Sequence, residues 1–318
     1  MARTFARGIR NTMMAAAVLM LTACVAPSPA PTNSASETLE DGRSIEIAPG
    51  RTLWIQCAGE GSPTVILESG IHDSSDIWSE VALQSPAVGP DVFTALSEHT
   101  RVCRYDRPGT VLQTETPTLT TRSSPVEMPR TIDSVANDLE ALLEAAQIDP
   151  PYVLVGHSFG GFLQTYYAQT RPDEAVGLVL VDAFSAEMES LFGDQWEAYL
   201  AVLNSDGGTG LGADAAFERY DVTESDRLAH EAPPLDPDLA TVVLSKTEPF
   251  PIPADVEGFT AADMDRVWRA SQAGLAALVP RTVHIMAEGT DHVIQVRQPD
   301  LVTSAVLLTL ERARASAE

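Results

Sequence analysis

Hydrophobic residues fall into seven short, nearly continuous apolar runs, separated by stretches with helical periodicity. Apolar runs of this length predict β-strands that are covered on both faces. The predicted strands are residues 51–57, 64–69, 101–105, 152–156, 177–182, 241–245 and 282–286. Their alternation with helical stretches indicates βα units around a mostly parallel sheet, and so an α/β fold class.

Two of the intervening stretches carry strong helical signals. Residues 131–146 place their apolar side chains on one stripe, and a second helix is predicted to begin at Thr260, where Asp263 completes a capping box. The first stripe consists of Ile132, Val135, Leu139, Leu142, Leu143 and Ala146, and the second of Met264, Val267, Trp268 and Leu275. We expect both stripes to belong to the hydrophobic core.

One segment, residues 184–240, interrupts the alternation. It contains no clear strand and includes a glycine cluster at 207–212 and a proline cluster at 233–237. Such a segment indicates an insertion between two sheet strands, and insertions at the carboxyl ends of strands overhang the ligand crevice. We therefore expect a cap here.

The N-terminal region is expected to lie outside the folded domain. Three arginines precede an apolar run at 13–23, which is too short to span a bilayer, so residues 1–23 are predicted to be a secretory signal peptide. The run ends L-T-A-C, which resembles the lipobox of bacterial lipoproteins. This resemblance implies acylation of Cys24 and an exported protein held at the cell membrane, facing outside, by a lipid anchor only. An ordinary signal peptide is the alternative.

The residues after Cys24 are rich in proline, serine and alanine, which predicts a flexible tether over 24–44 and a folded domain over 45–318. The chain has three cysteines, an odd number for an exported protein. If Cys24 is acylated, Cys57 and Cys103 remain as a pair that an oxidising compartment allows to bridge. Two buried free thiols are the alternative.

The charge of the chain excludes one class of partner. The formal net charge is −25, and a surface of this sign repels the phosphate backbone of nucleic acids. We therefore expect no nucleic-acid binding, and a polyanionic substrate is also disfavoured. Hydrophobic residues make up 44% of the chain, which indicates a packed globular body.

The predicted strand at 152–156 leads directly into G-H-S-F-G, residues 156–160, which matches G-x-S-x-G. A strand, a sharp turn and a helix in this order display the serine hydroxyl on a strained residue, so Ser158 is predicted to be a nucleophile. Side chains at Gly156 and Gly160 would collide within such a turn. The helix beginning at Phe159 directs free N–H groups towards the serine, and the Phe159 N–H is the first predicted oxyanion donor.

A serine nucleophile requires a base, and the chain has six histidines. His292 lies in a loop after the last predicted strand and before a final helix that begins at Pro299. This places His292 at the same edge of the sheet as Ser158, and we predict that it is the general base. His157 is expected to pack away from the serine hydroxyl, and His284 is expected in the core.

Three carboxylates compete to orient the imidazole of the base. Asp182 ends the strand that follows the serine helix, so its side chain would leave the sheet close to the site, and it is preferred. Glu248 follows the next strand and is the alternative acid, with Asp255 third. The second oxyanion donor is expected in the loop after residues 64–69, where we select the N–H of Ile71 and retain His72 as the alternative.

These features together resemble the α/β-hydrolase superfamily, over residues 45 to 316. The shared sequences are E-S-G-I-H-D-S-S-D-I-W, Y-D-R-P-G, G-H-S-F-G-G, V-L-V-D-A and G-T-D-H-V-I-Q-V-R-Q-P. The resemblance implies an α/β-hydrolase fold with a mostly parallel eight-stranded sheet, helices on both faces and an inserted cap. It also implies no metal and no organic cofactor, and a structural role for residues 105–107.

Two further expectations follow from the resemblance. Some branches of the superfamily carry the acid after the sixth strand, which favours Asp182. The second and fourth strands are neighbours in this fold, which places Cys57 beside Cys103 in a geometry suited to a disulfide. Ser69-Gly70 departs from the usual His-Gly of the oxyanion loop.

The set is similar to exported bacterial lipoprotein hydrolases of the esterase or lipase type. This implies a monomer that cleaves small-molecule carboxylic esters through an acyl-enzyme. A peptidase, amidase or perhydrolase with the same triad is an alternative, because fold analogy does not determine the bond cleaved. A tethered, non-catalytic binding protein is the second alternative. Dehalogenase or epoxide-hydrolase chemistry would require a carboxylate where Ser158 stands.

Overall fold

The computed structural model describes residues 39–79, 89–251 and 257–317. The predicted signal peptide, Cys24, most of the predicted tether and Asp255 lie outside these ranges. The strands in the described part of the chain are β1 (Arg43–Ala48), β2 (Arg51–Ala58), β3 (Thr64–Glu68), β4 (Val102–Asp106), β5 (Val111–Leu112), β6 (Thr118–Leu119), β7 (Tyr152–His157), β8 (Ala175–Val181), β9 (Ala240–Lys246) and β10 (Val283–Ala287).

The α-helices of the same ranges are α1 (Val92–Ser97), α2 (Ile132–Ala145), α3 (Phe159–Thr170), α4 (Met188–Phe192), α5 (Trp196–Leu203), α6 (Val222–Glu231), α7 (Ala261–Leu275), α8 (Ile294–Arg297) and α9 (Pro299–Ala317). Within the described residues, no helix has both the length and the apolar character needed to cross a bilayer.

Eight of the strands form one sheet in the order β1-β2-β4-β3-β7-β8-β9-β10. β2 is antiparallel to both of its neighbours, and every other pair from β4 to β10 is parallel. The expectation of a mostly parallel eight-stranded sheet is therefore confirmed. β5 and β6 form a separate two-stranded ribbon.

All seven apolar runs of the sequence are strands of this sheet, but β1 has no counterpart among them. β1 is an edge strand in which Ile45 alone is buried, so it lacks an apolar run that would mark it in the sequence. It begins at Arg43, two residues before the expected start of the domain.

Alternating side chains of the strands feed two hydrophobic clusters, one on each face of the sheet. Val65 and Leu67 of β3 pack with α1 and α9, whereas Ile66 packs on the opposite face with α2 and α3. Coverage of both faces explains why these strands are apolar at consecutive positions.

Both predicted helical stripes are buried, as expected. Thr260 caps α7 with the predicted box: its hydroxyl accepts from the Asp263 N–H at 3.2 Å, and the Asp263 carboxylate accepts from the Thr260 N–H at 3.0 Å. The expectation for His284 is wrong. It lies exposed on edge strand β10, with Nε2 2.8 Å from the Ser245 hydroxyl, because no further strand of the described chain covers this side of the sheet.

Cys57 and Cys103 are joined by a disulfide. They occupy directly opposed positions on β2 and β4, with a Cα–Cα distance of 4.1 Å, and both are buried. The disulfide thus cross-links the antiparallel strands β2 and β4. The alternative of two buried free thiols is wrong.

The segment between β8 and β9 is the one for which we expect an insertion. It contains α4, α5 and α6 and no named strand, and its residues are all described. We call residues 184–239 the cap.

Candidate active site

Ser158 is the single residue between β7 and α3, and it adopts a strained backbone conformation with φ 52° and ψ −125°. Three backbone hydrogen bonds hold it there. Its N–H donates to the carbonyl of Val181 at 3.1 Å, and its carbonyl accepts from the N–H groups of Gly161 and Phe184, each at 2.9 Å. Such a conformation costs about 1–3 kcal/mol and persists only when its surroundings impose it.

The two flanking glycines are required by close backbone approach. A Cβ on Gly156 would lie 2.5 Å from the carbonyl oxygen of Gly160, and a Cβ on Gly160 would overlap the carbonyl oxygen of Ser69. The turn therefore has the tight geometry expected for G-x-S-x-G.

Asp182 and His292 meet at the carboxyl edge of the sheet. Asp182 follows β8 directly with φ 43° and is fully buried. One of its oxygens lies 2.6 Å from Nδ1 of His292, and the other accepts from the backbone N–H of Lys246 at 3.1 Å. Both carboxylate oxygens are thus engaged, and the imidazole is held with Nε2 turned away from Asp182.

Among the described residues, the alternative acid Glu248 does not occupy this position. Glu248 is exposed, and its backbone N–H donates to the carbonyl of Thr290 at 3.1 Å. Asp291, the sequence neighbour of His292, forms an ion pair with Arg297 at 3.1 Å. Asp255 lies outside the described residues. The structure therefore brings Asp182, and neither Glu248 nor Asp291, to His292.

Aromatic rings surround the imidazole of His292. The ring centroids of His157, Phe250 and Trp268 lie 4.6, 5.0 and 5.2 Å from it. Ser158 and His292 line the same cavity, and no hydrogen bond joins the serine hydroxyl to the imidazole among the described contacts. Catalytic hydrogen bonds are often long without substrate and tighten in the complex.

His157 does more than pack. It is buried, and its Nε2 lies 3.0 Å from the backbone carbonyl of His292. Because a carbonyl only accepts, Nε2 carries the proton. Burial, reinforced by the neighbouring His292, lowers the pKa of His157 well below its ordinary value. A neutral His157 therefore anchors the loop that carries His292.

The structure distinguishes the two candidates for the second oxyanion donor. The N–H of His72 donates to the Glu218 carboxylate at 2.6 Å, so it is engaged. The N–H of Ile71 donates to no described residue, and Ile71 lines the cavity beside Ser158. Phe159 opens α3, where N–H groups have no intrahelical acceptor. Ile71 and Phe159 are therefore the available donors.

A buried ionic cluster lies beneath the loop that carries Ile71. It consists of Glu68, Tyr105, Arg107, Glu218 and Tyr220, and we call it the Arg107 cluster. Arg107 forms an ion pair with Glu68 and another with Glu218, the latter at 2.7 Å. The hydroxyl of Tyr105 donates to Glu68, and that of Tyr220 donates to Glu218 at 3.0 Å. Arg107 thus has the structural role implied by the superfamily resemblance.

Two carboxylates share one guanidinium in this cluster, and their pKa values diverge. Burial raises the pKa of Glu68 above its ordinary value despite its ion pair. Burial also disfavours charge on Glu218, but the bidentate contact with Arg107 outweighs it and lowers the pKa of that carboxyl. Glu218 is therefore the firmly ionised partner.

The cavity has a volume of about 500 Å³. Its wall contains Ile71, His72, Asp73, Val111, Gln113, Ser158, Tyr199, Val202, Leu203, Ser205, Asp206, Gly207, Thr209, Phe217, Phe250, Phe259, Met264, Trp268 and His292. Much of this wall is apolar or aromatic, and the cap supplies a large share of it. Burial raises the pKa of Asp73 to about 6, although Arg107 and His292 oppose the rise.

Sequence reasoning did not find the contributions of Glu218 and Asp73. Asp73 follows Ile71 by two residues in E-S-G-I-H-D-S-S-D-I-W, so the sequence could have indicated that it lies near the site. Glu218 lies in the cap without a periodic pattern, and the sequence offers no sign of its contacts. Within the described ranges, no group of three or more His, Cys, Asp or Glu side chains is arranged to hold a metal ion.

A family model for the alpha/beta hydrolase fold matches residues 63–272 of the 318-residue chain. The chain belongs to this family. The match extends from β3 through the serine turn and the cap to α7, so the serine turn and the candidate acid of this α/β hydrolase lie within the matched region.

Among curated proteins, this α/β hydrolase is similar to Lipase LipV of Mycobacterium tuberculosis, with 33% identity over 131 residues. The match covers 41% of each chain. Across the curated relatives, the chain spans between 15% and 52% of their length.

Solved structures share the fold at low identity. A "probable hydrolytic enzyme" from Pseudomonas aeruginosa has a TM-score of 0.57 at 17% identity, covering 85% of this chain and 93% of that one. A thermophilic esterase from Thermogutta terrifontis has a TM-score of 0.51 at 18% identity, covering 86% and 98%. At these identities the likeness concerns the fold alone.

Proposed function

We propose that the protein is a serine hydrolase that cleaves small-molecule carboxylic esters through an acyl-enzyme. The observation that carries the proposal is the contact of 2.6 Å between Asp182 and Nδ1 of His292, in the cavity that Ser158 also lines. In the proposal, Ser158 is the nucleophile, His292 the general base and Asp182 the acid that orients it. The N–H groups of Phe159 and Ile71 form the oxyanion hole.

Acylation begins when the Ser158 hydroxyl attacks the ester carbonyl carbon and Nε2 of His292 takes its proton. Asp182 stabilises the imidazolium through Nδ1–H and keeps the ring in the tautomer that accepts at Nε2. The carbonyl oxygen becomes an oxyanion, which accepts from the two backbone N–H groups. Collapse of this intermediate breaks the bond to the alcohol oxygen, which receives the proton from His292.

Deacylation repeats these steps with water. His292 takes a proton from water, whose oxygen attacks the acyl carbon of the acyl-enzyme. The second oxyanion occupies the same site, and its collapse breaks the bond to Ser158 Oγ, which recovers its proton from His292. The residues therefore return to their starting protonation states after each turnover.

Two observations support a small ester as the substrate. A cavity of about 500 Å³ lies within the range of small-molecule sites, and its wall is rich in apolar side chains that suit an acyl chain. A lipase is among the similar proteins. We further propose that the enzyme acts as a monomer.

Hydrolysis of p-nitrophenyl esters of increasing chain length by the mature protein tests the proposal. The wild type should turn these esters over and react with a fluorophosphonate probe at Ser158, whereas Ser158→Ala should do neither and keep a native circular-dichroism spectrum. Undiminished turnover by Ser158→Ala would refute the mechanism. A wild type that never labels would instead indicate a binding protein.

The location of the enzyme is a separate proposal. We propose export and acylation of Cys24, on the strength of the L-T-A-C sequence after an apolar run. Mass spectrometry of the mature N-terminus should find a lipid-modified Cys24, and Cys24→Ala should release the protein from the membrane fraction. An unmodified N-terminus at another residue would contradict the proposal.

A further inference from the structure

The cap contributes one charged side chain to the protein interior beneath the oxyanion loop, which we define as residues 69–72. Glu218 is 1% exposed and belongs to the Arg107 cluster. Its carboxylate contacts Nε of Arg107 at 2.7 Å and Nη2 at 3.0 Å. Its backbone N–H donates to the carbonyl of Gly109 at 3.0 Å, so the cap is fixed here by both main chain and side chain.

The Arg107 cluster forms hydrogen bonds with the oxyanion loop on both sides of Ile71. On one side, Arg107 donates to the carbonyls of Ser69 at 2.9 Å and Gly70 at 2.7 Å. On the other side, Glu218 accepts from the N–H of His72 at 2.6 Å. The N–H of Ile71 is left without a described acceptor between two restrained neighbours.

Two contacts restrain the backbone of His72: its N–H donates to the Glu218 carboxylate at 2.6 Å, and its carbonyl accepts from the Val111 N–H at 2.7 Å. The φ of His72 is 66°, a left-handed conformation that a residue other than glycine adopts at a cost of about 1–3 kcal/mol. Because Glu218 holds the N–H of His72, it opposes relaxation of this residue. Relaxation would rotate the peptide unit between Ile71 and His72 and so displace the backbone of Ile71.

We propose that Glu218 is a positioning residue that makes the oxyanion hole dependent on the seated cap. The proposal rests on the proposed function, because it assigns the Ile71 N–H to the developing oxyanion. In this proposal the cap lines the cavity, and through Glu218 it also positions the Ile71 N–H as a donor to the oxyanion. A misplacement of about 1 Å at such a donor lowers the rate about 100-fold.

Glu218→Gln and Glu218→Ala test this inference on the mature enzyme. The amide in Glu218→Gln retains one acceptor for His72 or Arg107 but loses the charge, and the methyl side chain in Glu218→Ala makes neither contact. With p-nitrophenyl butyrate, we expect kcat to fall about 10-fold for Glu218→Gln and about 100-fold for Glu218→Ala, with KM within about 3-fold of wild type.

Affinity for a boronic acid separates positioning of the oxyanion hole from a merely structural role. Phenylethylboronic acid forms a tetrahedral adduct with a reactive serine, so its binding should weaken by the same factor as kcat. Asp226→Asn is the matched control, because Asp226 is a cap carboxylate that pairs with His230 at 3.4 Å and makes no described contact with the oxyanion loop. It should leave kcat and boronate affinity within about 2-fold of wild type.

Thermal melts establish that each variant is folded. If Glu218→Ala does not fold, Tyr220→Phe removes only the 3.0 Å hydrogen bond to Glu218, and a fall in kcat and boronate affinity of about 3-fold is expected. Folded Glu218 variants with wild-type kcat and boronate affinity, or with a loss confined to KM, would overturn the inference. A wild type without esterase activity would overturn the proposed function instead.

Discussion

Asp182→Asn is the substitution whose consequence can be worked out atom by atom. One oxygen of Asp182 accepts from the backbone N–H of Lys246, and the other faces Nδ1 of His292. Asparagine has one oxygen and one amino group. Because the Lys246 N–H can only donate, the amide oxygen must stay with it, and the amino group must face Nδ1.

This orientation reverses the tautomer of His292. Nδ1 has to accept from the asparagine amino group, so the proton of the neutral imidazole moves to Nε2, the nitrogen that must accept from Ser158. The base is then protonated where it must accept. Loss of the correct tautomer lowers kcat about 10⁴-fold in a serine protease triad, which corresponds to about 5.4 kcal/mol of transition-state stabilisation.

The assay compares kcat for a p-nitrophenyl ester at neutral pH in the wild type, Asp182→Asn and Glu248→Gln. Glu248→Gln is the control, because it removes one negative charge, as Asp182→Asn does, from an exposed side chain. It should change kcat by less than about 2-fold. An Asp182→Asn variant that keeps more than about a tenth of the wild-type kcat would contradict the assignment of Asp182. Loss of activity in Glu248→Gln instead would also contradict this assignment.

Three further predictions concern stability. Replacing Cys57 and Cys103 by serine should lower the free energy of unfolding in urea by about 3–4 kcal/mol, because the disulfide closes a loop of sequence separation 46; an unchanged midpoint would contradict this. The pKa of Asp73 rises from 3.8 to about 6, so the folded state binds its proton more tightly than the unfolded state, and stability falls as the pH rises from about 4 to 6. Asp73→Asn should therefore raise the free energy of unfolding by about 1–2 kcal/mol at pH 7.5, a value reduced because the Asp73 side chain is partly exposed. Below about pH 4 it should have no effect, and an equal gain at both pH values would exclude the raised pKa of Asp73 as the cause. Ser158→Gly should be about 1–2 kcal/mol more stable than Ser158→Ala, since glycine adopts φ 52° and ψ −125° without strain; identical melting temperatures would count against strain at this residue.

The central strands were predictable because each one is mostly apolar and is buried over its whole length or nearly so. A strand such as β7 is buried on both faces and carries a signal that needs no knowledge of its neighbours. β1 could not be recognised in this way, since as a half-exposed edge strand it has one buried side chain, Ile45. The same logic explains His284, whose strand has an apolar pattern but lies at the uncovered edge.

The candidate site was predictable as far as local sequence determines position. The order of strand, Ser158 and helix fixes where the serine lies, and the end of a parallel strand fixes the edge at which Asp182 and His292 emerge. The choice between Asp182 and Glu248 depends on which side chain reaches Nδ1, a distance across two strands that no local pattern encodes. The contact of Glu218 with Arg107 is even less predictable from local sequence, since 111 positions separate the two residues.

In the proposed mechanism the acid is Asp182, directly after β8, so none of the described residues between β9 and α7 takes part in proton transfer. Phe259, from this connection, still faces the cavity. In this proposal, exchange or lengthening of the connection would alter which acyl groups are accepted and leave Ser158, Asp182 and His292 in the sequence. We expect descendants of this scaffold to diversify their substrates there first.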